Sequence, residues 1–332
     1  MNIPHKTLSL FAGASLFVFS SLSAVTTNPV GYVTISCLGG SDTVTSVPLA
    51  QTTAVVSAVA SVDSASSQIT IDQSDLVVDA YQDSHYVRFG AGSALEGAKM
   101  TITANTADTL TLQVQSGYNL GDAVADDVVE IIPHITLSKL FEGVSSIPEG
   151  TEVFYFDNAT NGINKSSSGG YIYYSPTWYA ASDFANTDNA VLLPDDALIV
   201  RVPGDSANDF DIITTGAVPT VGHSFPIVTA SSGSNDNFVA PQVPGEIPLA
   251  TLFASPSEGD EVLIFDNSVR GINKSSSGGY VYYSPSWYDA GDFAVVDTLS
   301  VKPWEMAVYR RSDQGGSSAT VFSGRAAYLD NL

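Results

Sequence analysis

A long internal repeat is the feature of this chain that most constrains its fold. Residues 149–185 align without a gap with residues 258–294 at a constant offset of 109, and 27 of the 37 positions are identical. At the same offset only four of the next 32 positions recur, namely Asp188, Pro194, Arg201 and Ala217. One duplication has therefore produced two units in which residues 149–185 and 258–294, called here the duplicated segment, have changed far less than the residues after them.

The first 24 residues have the pattern of a secretory signal peptide. Lys6 supplies a positive charge, a weakly polar to apolar run covers residues 7–22, and Ser21 and Ser23 form a small-x-small cleavage site. A membrane-spanning helix needs about 20 apolar residues, and nothing later in the chain approaches that length. The sequence predicts an exported protein that is periplasmic, on the cell surface or extracellular, with no membrane span in the mature chain.

The balance of charge narrows the classes of partner. The formal net charge is −23, yet charged residues make up only 14% of the chain and hydrophobic residues 44%, which favours a folded protein with a sizeable core. Such a negative charge repels nucleic acids and anionic lipid head groups. The single cysteine rules out an internal disulfide framework. No nucleic-acid partner is expected, and stability has to come from packing and hydrogen bonding.

Strand signals dominate the N-terminal part of the mature chain. The clearest alternation places Leu110, Leu112 and Val114 on one face and Thr111 and Gln113 on the other, which is the period of two of a half-buried strand. Strands are predicted at residues 30–36, 43–49, 55–62, 68–72, 86–89, 99–103, 110–114 and 128–132. Eight strands without a 3.6-residue period favour an antiparallel barrel or sandwich.

The predicted fold class is all-β, with an N-terminal antiparallel barrel or sandwich followed by two tandem repeated β modules. Residues 135–141 match residues 247–253 at an offset of 112, which marks where each repeat begins. Residues 221–246 are rich in Ser, Gly, Asn and Pro and predict a linker or long loop. The predicted divisions are a signal peptide at 1–24, an N-terminal β domain at 25–133, β repeat 1 at 134–220, the linker or loop at 221–246 and β repeat 2 at 247–332.

The duplicated segment offers a candidate carbohydrate-binding surface. Tyr and Trp rings present flat apolar faces to sugar C–H groups and a polar tip to hydroxyls. Because Ile172 is Val in the second copy, the face of Ile172 and Tyr174 is predicted as core and the face of Tyr171 and Tyr173 as the exposed one. The candidate ligand-binding residues are Tyr171, Tyr173, Trp178, Tyr280, Tyr282 and Trp287. The alternative is that these rings pack in the core and pair across strands.

A second candidate is a cation site, with Ca²⁺ as the ion. Carboxylate and amide oxygens, the ligands that Ca²⁺ prefers, recur in one loop of each copy. The candidate ligands are Asp157, Asn158, Asn164, Asp266, Asn267 and Asn273. Their spacing differs from that of an EF-hand loop, and the turn chemistry of Asp and Asn accounts for the same residues. Beyond this ion, no cofactor is predicted.

The sequence gives little evidence of a catalytic site. His85, His134 and His223 all lie outside the duplicated segment, so a histidine relay is not duplicated with it. Residues 222–226 depart from the G-x-S-x-G pattern, and the sequence has no H-E-x-x-H motif and no Cys/His metal cluster. A non-catalytic protein is therefore the expectation.

Several motifs resemble a family of uncharacterised exported β-rich bacterial proteins. The matching stretches are N-P-V-G-Y-V-T at 28–34, G-I-N-K-S at 162–166, the tyrosine-rich strand at 171–174 with Trp178, and residues 194–201. The resemblance implies export and a β-rich fold and implies no catalytic residues. This chain differs by carrying the G-I-N-K-S module twice, and by Asp195-Asp196 where a Gly-containing turn is expected.

Together these observations predict an exported structural or binding protein of the cell surface or extracellular space. The first alternative is a soluble carbohydrate-binding protein that uses the repeated Tyr and Trp surfaces, and the second is a secreted hydrolase. The expected partners are other copies of the chain or a cell-surface polysaccharide.

Overall fold

The fold is all-β, as the sequence predicts. A computed structural model describes residues 29–302 and 305–331, with 41% strand and 6% helix; the predicted signal peptide lies outside the described residues. The helices are α1 (Leu137–Leu140), α2 (Leu249–Leu252) and 3-10 turns at Leu120–Asp122, Ser206–Asn208 and Ala327–Asn331. In the part of the chain that the structure describes, no helix has the length and apolar character to cross a membrane.

A closed six-stranded barrel follows the first two strands of the chain. Those two strands are β1 (Val30–Cys37) and β2 (Ser41–Thr45). The barrel consists of β3 (Val55–Asp63), β4 (Gln68–Ile71), β5 (His85–Phe89), β6 (Lys99–Asn105), β7 (Thr109–Leu112) and β8 (Val128–Pro133), closed in the order β3-β4-β7-β6-β5-β8. Leu110 and Leu112 point into its buried core while Thr109 and Thr111 are only partly covered, which confirms the alternation expected for this strand.

The strands of the first module lie before and after the barrel in the sequence. After the barrel come β9 (Ile135–Thr136), β10 (Glu152–Tyr155), β11 (Gly169–Tyr174), β12 (Thr177–Ala180), β13 (Val191–Leu192), β14 (Leu198–Val202) and β15 (Phe210–Ala217). They form a five-stranded sheet in the order β12-β11-β10-β14-β2, and two pairs, β1 with β15 and β9 with β13. The barrel is thus an insertion between β2 and β9.

This arrangement corrects the predicted N-terminal domain at 25–133 and the predicted repeat 1 at 134–220. All eight strands expected in the N-terminal part are present, but the first two leave the barrel and complete the first module. The physical reason is burial: Ile35 and Cys37 of β1 pack in one core with Val153 and Trp178. Strand patterns show which residues alternate, whereas the choice of partner strand depends on this distant core.

The second module has the same order of elements without an inserted barrel. Its strands are β16 (His223–Val228), β17 (Asn235–Val239), β18 (Ile247–Pro248), β19 (Glu261–Ile264), β20 (Gly278–Tyr283), β21 (Ser286–Asp289), β22 (Ser300–Val301), β23 (Ala307–Arg311) and β24 (Ala319–Gly324). They form a five-stranded sheet in the order β17-β23-β19-β20-β21, and two pairs, β16 with β24 and β18 with β22. The registers of the two sheets match at the same offset of 109, since Glu152 lies opposite Ile172 and Glu261 lies opposite Val281.

The predicted linker at 221–246 is therefore wrong, because it contains β16 and β17. Its polar composition has a structural origin. Asn235 and Asn237 are fully buried, and the Nδ2 of each donates to the carbonyl of Val228, at 2.9 and 3.0 Å. Buried amides that bond to backbone groups resemble loop residues in composition while they hold two strands together.

The barrel is joined to both modules by polar contacts and a small apolar cluster. Lys99 on the barrel forms a 2.8 Å ion pair with Asp195, and Tyr86 packs with Ala50 and Ala217. Asp195 has a left-handed backbone, with φ of +71°, which agrees with a turn that usually takes Gly. Its carboxylate accepts hydrogen bonds from Lys99 and from the backbone N–H of Gln242, so the side chain compensates for the backbone strain.

A buried charge cluster distinguishes the core of the second module from that of the first. Asp260 is fully buried and accepts hydrogen bonds from Arg311 at 2.7 Å, from the Tyr309 hydroxyl and from the backbone N–H of Ser312. The equivalent residue in the first module is Thr151, whose hydroxyl donates to a backbone carbonyl. The two module cores therefore differ in sequence at this position, although the strand registers of the two sheets are the same.

Asp260→Ala should lower the free energy of unfolding by about 3–5 kcal/mol, because the buried Arg311 guanidinium loses its counter-charge. The measurement is denaturant unfolding. Thr151→Ala is the matched control and should cost only about 1 kcal/mol, since it removes one neutral hydrogen bond. Equal losses in the two variants would contradict a special role for the charge cluster.

Two buried histidines make stability depend on pH. Burial, with smaller effects of the charges of His85 and Lys99, lowers the pKa of His134 and of His223 to about 4. In the unfolded chain the same groups titrate near the ordinary histidine pKa of 6.5, so the unfolded state binds more protons between these pH values and stability is lost as the pH falls. Between pH 6.5 and 5, we expect a loss of about 1–2 kcal/mol for each histidine. His134→Gln and His223→Gln should each flatten this slope in unfolding experiments; an unchanged slope would contradict it.

Candidate functional site

The two tryptophans proposed as ligand-binding residues lie in the module cores. Trp178 is 2% exposed and Trp287 is 1% exposed. The ring of Trp178 packs 4.7 Å from that of Phe141, and Trp287 packs 6.1 Å from Phe253. These rings are buried and cannot contact a ligand. Trp178 and Trp287 therefore pack in the core, which is the alternative given for them above.

The predicted exposure of the two tyrosine faces is also reversed. Tyr171 lies opposite the fully buried Val153 in the sheet, and directly opposite residues point to the same side. Tyr171 and Tyr173 therefore pack against the first core, as Tyr280 and Tyr282 pack against the second. The other face carries Tyr174, which is 43% exposed. The sequence could not distinguish these faces, because β10 is apolar on both sides.

The oxygens proposed as cation ligands are used in hydrogen bonds within the protein. Asn158 bonds to both backbone groups of Phe238, at 2.9 and 2.8 Å, and Asn267 bonds in the same way to Val44, at 2.8 and 2.9 Å. Asp157 and Asp266 each accept from the backbone N–H two residues later, as turn residues do. In residues 29–302 and 305–331, no group of three or more His, Cys, Asp or Glu is placed to hold a metal ion.

A reciprocal contact between the modules accounts for the G-I-N-K motif. Each module inserts its G-I-N-K loop against the edge strand of the other module, where an Asp–Arg pair receives it. We call these contacts the clasp; its residues are Asp42, Arg201, Gly271 and Asn273 on one side and Asp236, Arg310, Gly162 and Asn164 on the other.

In the first half of the clasp, Asp42 of the first module receives the loop of the second. The Asp42 N–H donates to the carbonyl of Gly271 at 2.9 Å, and the Asp42 carboxylate accepts from the N–H of Asn273 at 2.6 Å. Arg201 donates to both carboxylate oxygens of Asp42, at 2.7 and 3.0 Å, and to Asn273 Oδ1 at 2.7 Å. Asp42 is 3% exposed, so these charge-assisted bonds are shielded from water.

The second half of the clasp repeats these bonds with the modules exchanged. The Asp236 N–H donates to the carbonyl of Gly162 at 2.9 Å, and the Asp236 carboxylate accepts from the N–H of Asn164 at 2.6 Å. Arg310 donates to Asp236 at 2.7 and 3.2 Å and to Asn164 Oδ1 at 3.2 Å. Because each module gives and receives the same contacts, the interface is isologous within one chain.

An apolar cluster lies beside the clasp and explains why β10 is apolar on both faces. The rings of Phe156 and Phe238 stack with centroids 4.1 Å apart. Val44, Met306 and Val308 are buried in the same cluster. One face of β10 therefore packs against its own core and the other faces the second module, as a central strand covered on both sides does.

Two positions that recur outside the duplicated segment also have structural roles. Arg201 and its counterpart Arg310 belong to the clasp. Asp188 Oδ1 accepts the backbone N–H of Trp178 at 2.7 Å, and Asp297 does the same for Trp287 at 2.7 Å. These carboxylates bond to the edge strands β12 and β21, which limits the pairing of those edges with other chains.

The exposed part of the duplicated segment is an aromatic surface that occurs once on each module. It consists of Tyr174, Tyr179 and Phe184 on the first module and of Tyr283, Tyr288 and Phe293 on the second. Tyr174 and Phe184 have ring centroids 6.5 Å apart and an interplanar angle of 24°; the equivalent pair has 6.5 Å and 23°. Phe184 is 61% exposed and Phe293 is 60% exposed. The sequence contained these residues, but their exposure follows only from the strand register.

A cavity lies elsewhere, between the barrel and the second module. Its volume is about 430 Å³, and its lining includes Glu96, Tyr118, His223 and Arg325. None of the lining residues belongs to the duplicated segment. The aromatic surface, in contrast, lies within the duplicated segment and is therefore the candidate site that occurs in both copies.

Asp42→Asn and Asp236→Asn should each lower the free energy of unfolding by about 2–4 kcal/mol, because a partly buried arginine loses its charge partner and the amide that replaces the buried carboxylate places N–H groups against N–H donors. The two losses should be similar, since the two halves of the clasp are alike. Denaturant unfolding measures both.

Asp209→Asn is the matched control for the clasp. Asp209 pairs with Arg270 at 2.6 Å, but both side chains are well exposed, at 38% and 40%, so the loss should stay below about 1 kcal/mol. If the clasp variants are no less stable than this control, the clasp does not hold the modules together.

Comparison with protein-family models, curated proteins and solved structures gives no match for this chain. Proposals about its function therefore rest on the geometry of its own residues.

Proposed function

We propose that this chain is an exported, non-catalytic binding or structural protein that acts at the cell surface or in the extracellular space. The observation that carries the proposal is the pair of equivalent aromatic surfaces, each with a phenylalanine about 60% exposed. Exposed aromatic rings at corresponding places mark an interaction surface more than a folding requirement.

The clasp supports a binding or structural role for the two modules acting together. It uses backbone groups of both modules and ion pairs whose carboxylates are buried, so the two aromatic surfaces are held at a constant separation. Two sites at a constant separation on one chain favour attachment to a repetitive partner, because the second contact forms at a high effective concentration. A polysaccharide or an array of identical subunits is such a partner.

The second candidate function is soluble carbohydrate binding. The specific observation in its favour is the pair of neighbouring exposed rings of Tyr174 and Phe184, whose flat faces are within 24° of parallel. Sugar rings bind to such faces through their C–H groups. The predicted residues Trp178 and Trp287 take no part in this version of the proposal.

Fractionation of the cells that produce the native protein, with electron microscopy of the envelope fraction, tests the proposed function. We expect the protein in the envelope or matrix fraction, released by conditions that disrupt surface polymers. A freely soluble monomer in the cytoplasmic fraction would overturn the proposal. A soluble exported monomer that is retained on polysaccharide would replace the structural role with carbohydrate binding.

A further inference from the structure

We infer that the aromatic surface of each module is a stacking site for a neutral polysaccharide. The inference rests on the proposed function and names the residues and the class of ligand. The site on the first module is formed by Tyr174, Tyr179 and Phe184, and the site on the second module by Tyr283, Tyr288 and Phe293.

The first argument is which surface residues the two copies share. Neighbouring exposed positions have changed: Thr160 is Val269 in the second copy, and Ser182 is Gly291. The residues of the aromatic surface are identical in both copies. Core packing and the clasp explain the shared buried residues, but neither explains a shared Phe184 that is 61% exposed.

The second argument is the backbone of the exposed phenylalanine. Phe184 has φ of +57° and Phe293 has φ of +59°, a left-handed conformation that is unusual for a bulky side chain and favours Gly or Asn. Burial of the ring does not compensate for this strain, because both rings are mostly in solvent. Strained residues at exposed positions are typical of functional sites, and here the turn points a ring outward beside Tyr174.

Hydrogen-bond acceptors flank the rings in both copies. Glu149 accepts the backbone N–H of Ser175, next to Tyr174, and Asp183 accepts the N–H of Ala185, next to Phe184. Glu258 and Asp292 do the same in the second copy. All four carboxylates are exposed, so their remaining lone pairs face solvent. Acceptors around a flat apolar face suit the hydroxyl groups of a sugar.

The charge of the chain selects a neutral ligand among polysaccharides. The net charge is −23, and each aromatic surface has two carboxylates beside it. Polyanionic glycans, nucleic acids and anionic lipid surfaces are repelled by this field. A neutral polymer has no such penalty, and its repeating units can occupy both modules of one chain.

The test compares retention of the full mature chain on insoluble cellulose, chitin and β-1,3-glucan. We expect the wild-type protein to be retained on at least one of these polymers. The double variant Phe184→Asn/Phe293→Asn should bind about tenfold more weakly, with a melting temperature unchanged or higher because Asn tolerates the left-handed backbone. Each single variant should lie between the two, since one site remains.

Tyr32→Ala is the matched control, because Tyr32 is an exposed aromatic residue, 75% exposed, outside the aromatic surfaces. It should leave retention unchanged. The inference is overturned if the wild type is retained on none of the polymers, if the double variant binds as well as the wild type, or if the double variant unfolds at a lower temperature. It is also overturned if the double variant changes only self-association, measured by sedimentation. None of these outcomes alters where the native protein fractionates, so the proposed function is tested separately.

Discussion

The Asp–Arg pair at the edge of each sheet is the interaction on which the rest of the structure depends. Asp42 and Arg201 lie directly opposite each other on β2 and β14, so the pair first joins two strands of one module. The same carboxylate then accepts the backbone N–H of Asn273 from the loop of the other module, while the Asp42 N–H donates to the carbonyl of Gly271. Opposite charges on adjacent strands are common. Here the pair also binds the backbone of a loop from the other module, so the pairing of β2 with β14 and the pairing of the two modules depend on the same residues.

This double use explains why the duplicated segment has changed so little. Its strands pack against their own core, and its G-I-N-K loop has to match an edge strand in the other copy. In an isologous interface the same loop occurs in both copies, and each copy of the loop has to fit the equivalent surface of the other copy. The barrel, inserted between β2 and β9, leaves the clasp intact because the clasp residues of the first module lie on β2, on β14 and in the G-I-N-K loop, outside the inserted strands. The aromatic surfaces lie outside both the core and the clasp, and their presence in both copies points to a partner outside the chain.

Local physics was sufficient for much of the fold. Alternation in residues such as Leu110 and Leu112 predicted the strands of the barrel. The candidate site was less accessible to sequence reasoning. Trp178 and Tyr171 are candidates both for a binding surface and for the core, because aromatic side chains suit cores and binding sites equally well. Asn158 is a candidate both for a cation ligand and for a turn residue, since an amide oxygen that binds metal and one that accepts a backbone N–H have the same chemistry.

The sequence by itself determined the all-β class, the existence of the barrel strands, and the duplication with its constant offset. Those features depend on side-chain period and turn chemistry, which act over a few residues. Only the tertiary structure decided that β1 and β2 leave the barrel, that residues 221–246 are strands, and that Tyr174 rather than Tyr171 faces solvent. Each of these depends on contacts between residues far apart in the chain, because the partner that buries a strand face cannot be read from the strand itself.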